Sequence, residues 1–100
     1  MNEYTNDKYY IVRADRAGVF FGHVKERKGM NEITMTDVRK LWYWDGASAV
    51  EQLSIDGVTK PHNCKFTITV DEIVIANPIQ ILLCTDKAVD SITKVEAWKM

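Results

Sequence analysis

The side chains that can act as nucleophiles, bases or metal ligands are few and irregularly spaced in this sequence. The histidines are His23 and His62, and the cysteines are Cys64 and Cys84. Together they would supply four zinc ligands, but zinc sites normally present closely spaced pairs, such as two cysteines separated by two residues. The spacing therefore favours small buried thiols over a metal site, and we predict no metal and no cofactor.

The sequence also lacks the motifs of common enzyme classes. It has no serine on a strand-to-helix elbow, no phosphate-binding Walker loop and no HExxH pair. The acidic pairs Asp71–Glu72 and Asp86–Asp90 are typical of a strand connection and a helix surface, and neither cysteine has an evident activating base. We predict that the protein is not an enzyme, with a small hydrolase or metal-dependent enzyme as a lesser alternative.

The most conspicuous feature is the aromatic run Leu-Trp-Tyr-Trp-Asp-Gly-Ala-Ser-Ala at residues 41–49. Strand alternation places Trp42 and Trp44 on one face and Leu41 and Tyr43 on the other. These aromatics either pack in the core or form a stacking surface for a flat ligand or a partner chain. The small residues that follow open a predicted helix, whose free N–H groups can hold a phosphate.

Three basic residues accompany these elements. Arg13 and Arg39 lie on predicted strands, and Lys65 alternates with Phe66. An isolated arginine is usually a solvated charge, but a guanidinium can also pair with a phosphate or stack on a base. Lys65 is a weaker candidate of the same type.

Length and charge limit the classes of function. One hundred residues form one domain, 1–100, in which we expect 1–7 to be a flexible tail. The net charge of −1 argues against binding of long nucleic acid, which usually requires a basic surface. The sequence shows no membrane span and no secretion signal, which predicts a cytoplasmic protein that does not associate with membranes.

Hydrophobic patterns predict many short strands and two short helices. The expected helices cover about 48–57 and 85–96, and the expected strands cover 8–14, 19–26, 32–37, 38–44, 64–70, 73–76 and 79–84. This order predicts the α+β class, as a small domain with a mostly antiparallel sheet and helices on one face. The apolar run 79–84 is predicted to be a central, buried strand.

Turn and cap residues give more local predictions. Gly18 suits a turn with positive φ, and Gly22 inside a strand indicates a bulge or a close backbone approach. We expect Ser48 or Asp45 to cap the first helix and Gly57 to end it. The second helix should be capped by Thr85, with Asp86 in its first turn and an apolar face formed by Val89, Ile92 and Val95.

Several of these segments carry a family resemblance. The chain resembles a family of small, largely uncharacterised proteins of tailed bacteriophages. The resemblance lies in Val12-Arg13, Ala17-Gly18-Val19-Phe20 with Gly22, the run from Arg39 to Ala47, Gln52-Leu53, Gly57-Val58, Asn63-Cys64-Lys65-Phe66 and the ending from Thr85 to Trp98. That family is similar in size and style to phage anti-defence sponges, which bind cyclic nucleotide immune signals without cleaving them and are oligomeric. Where relatives carry Arg at position 40, this chain has Lys40, which weakens a bidentate phosphate contact there. Where relatives carry Ala-Ser, this chain has Ser48-Ala49, so the residues at the start of the helix still have small side chains.

The resemblance implies a non-enzymatic phage protein that binds a small nucleotide of the cyclic dinucleotide class, as a homo-oligomer in the host cytoplasm of the infected bacterium. A dinucleotide needs only two or three well-placed cations, which fits the near-neutral charge. The alternative is an interaction or assembly module whose exposed aromatics contact protein, with no small ligand. The predicted ligand-binding residues are Arg13, Gly18, Phe20, Arg39, Trp42, Trp44, Ala47, Ser48 and Lys65.

Overall fold

The computed structural model describes residues 7–98, which form six strands and two helices. The predicted tail at 1–7 lies, apart from Asp7, outside the described residues. The strands are β1 (Tyr10–Ala14), β2 (Gly18–Lys28), β3 (Glu32–Tyr43), β4 (Lys65–Phe66), β5 (Val70–Ala76) and β6 (Pro78–Leu83). The helices are α1 (Val50–Asp56) and α2 (Asp86–Thr93), and a 3-10 turn spans Pro61–Asn63. The predicted α+β class is confirmed.

Strand β3 is the longest strand and organises the sheet. Its neighbours give the order β4–β3–β2–β1–β6, and β5 also pairs with β3. Every strand pair is antiparallel. On the side opposite β2, the first part of β3 pairs with β5 and its last residues pair with β4. The aromatic run therefore leaves the sheet next to β4.

The sheet curls so that its two sides approach each other at Asn77. This single residue separates β5, which pairs with β3, from β6, which pairs with β1. Asn77 donates its N–H to the carbonyl of Asn31 and accepts a bond from the N–H of Asp15, at 2.8 and 3.0 Å. Its φ of +55° turns the chain between the two strands. The resulting sheet has a concave inner face and an outer face that packs against the helices.

Each face of the sheet has its own hydrophobic cluster. The helix-side cluster includes Ile11, Phe21, Leu41, Leu53, Phe66 and Ile92, all at most 2% exposed. The inner cluster includes Val12, Phe20, Val24, Ile33, Met35 and Val38. Consecutive residues Ile11 and Val12 belong to opposite clusters, as strand alternation requires. Both faces of the central strands are buried, which explains their apolar composition.

Several strand predictions need correction. Strand β6 is an edge strand, not a central buried one, and Ile79 and Leu83 are 59% and 57% exposed. The separate strands predicted at 32–37 and 38–44 are one strand, β3, with a bulge where Asp37 adopts a φ of +47°. The strand predicted at 64–70 contains only Lys65–Phe66 before β5 begins at Val70. An apolar run does not by itself show whether strands flank it on both sides.

Local predictions at turns and caps were more accurate. Gly18 and Gly57 have φ of +110° and +74°, and Gly57 caps the end of α1. The Thr85 hydroxyl accepts a bond from the Ala88 N–H at 3.1 Å, which confirms it as the cap of α2. The predicted cap of α1 was wrong, because Ala49 occupies that position without a side-chain bond. Within residues 7–98, no helix has the length and apolar character needed to cross a membrane.

Candidate functional site

An exposed pair of stacked tryptophans lies where β3 leaves the sheet. The rings of Trp42 and Trp98 have centroids 5.1 Å apart and planes inclined by 8°. Their residues are 56% and 41% exposed, so much of this aromatic surface faces solvent. Parallel stacking between two indoles contributes about 0.5–1.5 kcal/mol beyond burial, which helps hold the pair in one orientation.

Lys65 adds a positive charge to this surface. Its Nζ lies 5.2 Å from the ring centroid of Trp42 and 5.4 Å from that of Trp98. A cation at this distance from an indole is attracted by about 0.5–1 kcal/mol at an exposed site. We call Trp42, Lys65 and Trp98 the tryptophan platform. It offers flat apolar surface together with a charge that can meet an anion.

Strand β4 assembles the platform from distant parts of the chain. Its two residues pair with β3, with Leu41 opposite Phe66 and Tyr43 opposite Lys65. On its other side, Phe66 forms a parallel bridge with Ala97, and the Trp98 N–H donates to the Phe66 carbonyl at 2.8 Å. The register shift between Leu41 and Tyr43 makes Trp42 the extra, bulged residue of β3, and its ring remains beside Lys65. Main-chain pairing therefore fixes all three side chains.

A second cation lies next to the platform along β3. Lys40 precedes Trp42 by two residues, so alternation directs both side chains to the same face, about 7 Å apart. The Lys40 Nζ is 5.9 Å from the ring of Phe20, its neighbour on β2. Within the described residues, neither Lys40 nor Lys65 forms an ion pair, so both charges remain available to a ligand.

The two tryptophans of the aromatic run do not share a face. Trp42 is exposed, whereas Trp44 is half-buried and packs against the helix-side cluster that contains Leu41. The prediction of a common face was wrong because β3 ends at Tyr43, where strand alternation stops. Trp44 therefore contributes to the core, and Trp42 is the tryptophan of this run that a ligand can reach.

Arg39 is buried, and its guanidinium forms hydrogen bonds with main-chain carbonyl groups. Its guanidinium donates to the carbonyls of Thr67, Ile92, Val95 and Phe66, at 2.9, 3.1, 2.9 and 3.5 Å. Burial lowers the pKa of Arg39 from its ordinary value, and the residue is only 6% exposed. It also borders a cavity of about 270 Å³ between sheet and helix. Its donors serve the fold, so it stands apart from the tryptophan platform.

Arg13 lies on the helix side of the sheet. It is exposed on β1, opposite Gln80 of β6, whose amide donates to the Glu51 carboxylate at 2.9 Å. This bond lowers the pKa of Glu51, and the charge of Arg13 adds a smaller effect in the same direction. Trp42 and Lys40 lie on the opposite side of the sheet, so Arg13 is not brought to the platform.

The start of α1 is also separate from the platform. Ala47 packs against the helix-side cluster, and Ser48 is exposed. The Ser48 N–H and hydroxyl both donate to the Gln52 side-chain oxygen, at 2.8 and 2.9 Å. The N–H expected to hold a phosphate therefore already has an acceptor.

The remaining predicted residues lie beside Lys40. Phe20 is buried in the inner cluster, and Gly18 lies so close to Lys40 that an added Cβ would be 2.9 Å from its Cε. Of the nine predicted residues, Trp42 and Lys65 belong to the platform, and Gly18 and Phe20 border its neighbouring cation. Trp98 was not among the predicted residues, although the family resemblance included the ending from Thr85 to Trp98 and a third tryptophan lies beyond the last helix.

Residues considered for catalysis or metal binding are dispersed. His23 donates from Nδ1 to the Lys8 carbonyl at 2.6 Å and packs on Tyr9, whereas His62 is exposed on the 3-10 turn. The cysteines are free thiols, and burial raises the pKa of Cys64 and raises that of Cys84 to about 12. Among residues 7–98, no three His, Cys, Asp or Glu side chains are grouped to hold a metal ion.

Comparison with known proteins identifies a family but no activity. Residues 7–92 match the model of DUF6948, a domain of unknown function, and the chain belongs to this family. No curated protein and no solved structure matches the chain. The match covers β1 to most of α2 and ends before Trp98, so it includes two of the three platform residues.

Proposed function

We propose that this member of the DUF6948 family is a non-enzymatic binding protein that holds a small nucleotide on the tryptophan platform. The observation that carries the proposal is the exposed, near-parallel pair Trp42–Trp98 with the Lys65 ammonium over both rings. A nucleobase is flat and stacks on an indole with about 1–3 kcal/mol per base. Its phosphate carries the charge that an unpaired lysine attracts.

A cyclic dinucleotide fits the number of groups on this surface. It offers two bases and two phosphates, and the platform with Lys40 offers two indoles and two ammonium groups. A long nucleic acid would require a continuous basic track, which a net charge of −1 does not favour. The two lysines supply point charges, so the expected phosphate contacts are single and not bidentate.

The resemblance to phage proteins supplies the biological setting of this proposal. In that setting the protein is made in the cytoplasm of an infected bacterium and sequesters a cyclic nucleotide immune signal without cleaving it. Sequestration requires a binding surface and sufficient protein, but no acid, base or nucleophile. A homo-oligomer would increase the number of such surfaces in each particle.

A second candidate function is that of a protein interaction module. Exposed apolar side chains away from the platform favour it, above all Met30, Ile79 and Leu83 at 79%, 59% and 57% exposure. Tryptophan is itself enriched at the centres of protein interfaces. In this case Trp42 and Trp98 would contact a partner chain, and no nucleotide would compete for them.

A nucleotide panel tests the proposal directly. Purified protein is titrated with cyclic dinucleotides and linear mononucleotides, and binding is measured by thermal shift and calorimetry. A ligand present at about 100 times its Kd adds about 2.7 kcal/mol to the free energy of unfolding, which raises the melting temperature measurably. Mass spectrometry after prolonged incubation then shows whether the nucleotide is returned intact, as a sponge requires, or as a product.

Variants at neighbouring aromatics connect binding to the platform. Trp42→Ala should weaken nucleotide binding about 5- to 150-fold, which corresponds to about 1–3 kcal/mol of lost stacking. Tyr43→Ala is the matched control, because Tyr43 is 50% exposed on the same strand but lies outside the stacked pair. If no nucleotide binds, or if the two variants bind alike, the proposal is wrong.

A further inference from the structure

Strand β6 has one free edge in the described part of the chain. Its partner is β1, with Tyr10 opposite Leu83 and Ile11 opposite Leu82. The Cys84 N–H donates to the Tyr9 carbonyl at 2.9 Å, so residues of the same parity, Leu82 and Gln80, direct their main-chain groups toward β1. The main-chain groups of Ile79, Ile81 and Leu83 therefore point to the open side.

This edge has little of the protection that edge strands usually carry. Natural edges are blunted by lysines, prolines, bulges or covering segments. The strand from Pro78 to Leu83 contains no charged residue. Within residues 7–98, its protection is confined to its first two residues, Pro78 and a bulge at Ile79, where the register with β1 shifts. The side chains of Ile79, Ile81 and Leu83 line an open groove of about 610 Å³ together with Tyr10, Met30 and the charged Arg27. The uncharged edge from Gln80 to Leu83, beside a groove that is apolar except at Arg27 and Gln80, is suited to another strand.

We infer that this edge joins two copies of the chain by antiparallel pairing of β6 with β6. Only outward-facing residues can exchange main-chain bonds, which restricts a symmetric pair to registers that place them opposite one another. The register that pairs all three outward-facing residues, Ile79, Ile81 and Leu83, puts Ile81 opposite Ile81 of the second copy. Ile79 then lies opposite Leu83 of the second copy, on both sides of the twofold axis.

A second copy is the partner that the composition of the edge fits. Every cross-strand pair in this register is uncharged, and those on the groove face are apolar, so no like charges oppose each other. The side chains of Ile79, Ile81 and Leu83 from both strands lie on the groove face, where Met30 is 79% exposed. A standard interface buries about 800 Å² on each partner, about an eighth of the 6209 Å² surface of this chain. The interface is independent of the tryptophan platform, with which it shares no residue.

The oligomeric state in the absence of nucleotide tests this inference. Analytical ultracentrifugation of the wild-type protein should show a dimer at micromolar concentrations. Ile79→Lys should shift the protein to monomer, because it places a charge in the interface. Ile55→Lys on α1 is the matched control, since Ile55 is 56% exposed and Ile79 is 59% exposed, and this variant should remain a dimer. Circular dichroism confirms that each variant is folded.

A charge pair tests the register itself. Leu83→Glu alone should also give a monomer, whereas the double variant Ile79→Lys with Leu83→Glu should restore the dimer at low salt. Within one chain these positions are four residues apart on a strand, about 13 Å, so rescue must come from the second copy. A monomeric wild-type protein, a dimeric Ile79→Lys variant, or a double variant that stays monomeric would overturn the inference.

Discussion

Arg39 and Val95 are joined by a hydrogen bond of 2.9 Å from the guanidinium Nη1 to the main-chain carbonyl oxygen. This bond ties the chain beyond α2 to strand β3. Two residues later Ala97 bridges to Phe66, and Trp98 then stacks on Trp42. Arg39 was expected to meet a phosphate, but its position makes it a support for the segment that supplies half of the stacked pair.

Replacing Arg39 by Lys should destabilise the fold despite preserving the charge. One ammonium group cannot reproduce the planar arrangement of donors that reaches four carbonyls, so buried acceptors lose their partners. We expect a loss of about 2–4 kcal/mol in the free energy of unfolding, measured by urea denaturation. Arg13→Lys is the control, since Arg13 is exposed, and it should change stability by less than about 0.5 kcal/mol. Equal stability of the two variants would contradict the supporting role of Arg39.

Lys65→Met should weaken nucleotide binding while the tryptophans remain stacked. The substitution keeps an apolar chain over the indoles but removes the charge expected to meet a phosphate. We expect Kd to rise about 5- to 10-fold, and its dependence on salt to decrease. Lys60→Met, at an exposed loop lysine outside the platform, should leave Kd unchanged. A similar loss in both variants would show that only net charge matters.

Gly22→Ala should destabilise the sheet by steric overlap. A Cβ at residue 22 would lie 2.8 Å from the Val38 Cα and 2.9 Å from the Thr36 carbonyl oxygen, and both are main-chain atoms that cannot move aside freely. We expect a loss of about 3 kcal/mol in the free energy of unfolding. Gly29→Ala has no atom within 4 Å of the new Cβ, and its φ of +63° should cost only about 1 kcal/mol. Denaturation curves that coincide for the two variants would contradict this explanation.

The Cys84 thiol should make stability depend on pH in the alkaline range. Burial raises its pKa to about 12 from an ordinary value of 9.0. The unfolded chain therefore releases this proton first, so the stabilising effect is complete below pH 9 and is lost as the pH rises from 9 to about 12.

Cys84→Ala isolates this effect. The difference in free energy of unfolding between wild type and variant should narrow from pH 8 to pH 10. The slope should be smaller than the roughly 1.4 kcal/mol per pH unit of one fully linked proton, because the side chain is partly exposed. Urea denaturation at both pH values measures the difference, and a constant difference would refute the assignment to Cys84.

Features that depend on near neighbours were predictable from the sequence. The positive φ of Gly18, the end of α1 at Gly57 and the Thr85 cap each follow from the chemistry of one residue and its local chain. The close approach at Gly22 followed from the absence of a side chain inside a strand. These features account for the correct local predictions, whereas the fold class followed from the hydrophobic patterns of the strands and helices.

Features that depend on distant pairing were not predictable. The acceptors of Arg39 are main-chain carbonyls, which carry no sequence signature. Trp98 reaches Trp42 only through the bridge between Phe66 and Ala97. The apolar composition of β6 does not show whether it has a neighbouring strand on one side or on both. Only the tertiary structure shows that it is an edge strand. The aromatic run pointed to the site, but only the fold showed which tryptophan faces outward.

Trp42 and Trp98 lie more than half the chain apart in sequence, yet their rings are nearly parallel at 5.1 Å. Two indoles in this arrangement couple their electronic transitions, which gives circular dichroism that neither ring produces alone. The β2–β3 hairpin forms by local contacts, whereas this pair requires closure of a long loop, which is slow. The coupled signal should therefore appear only when the long loop between Trp42 and Trp98 has closed during refolding, and it would report the formation of these long-range contacts.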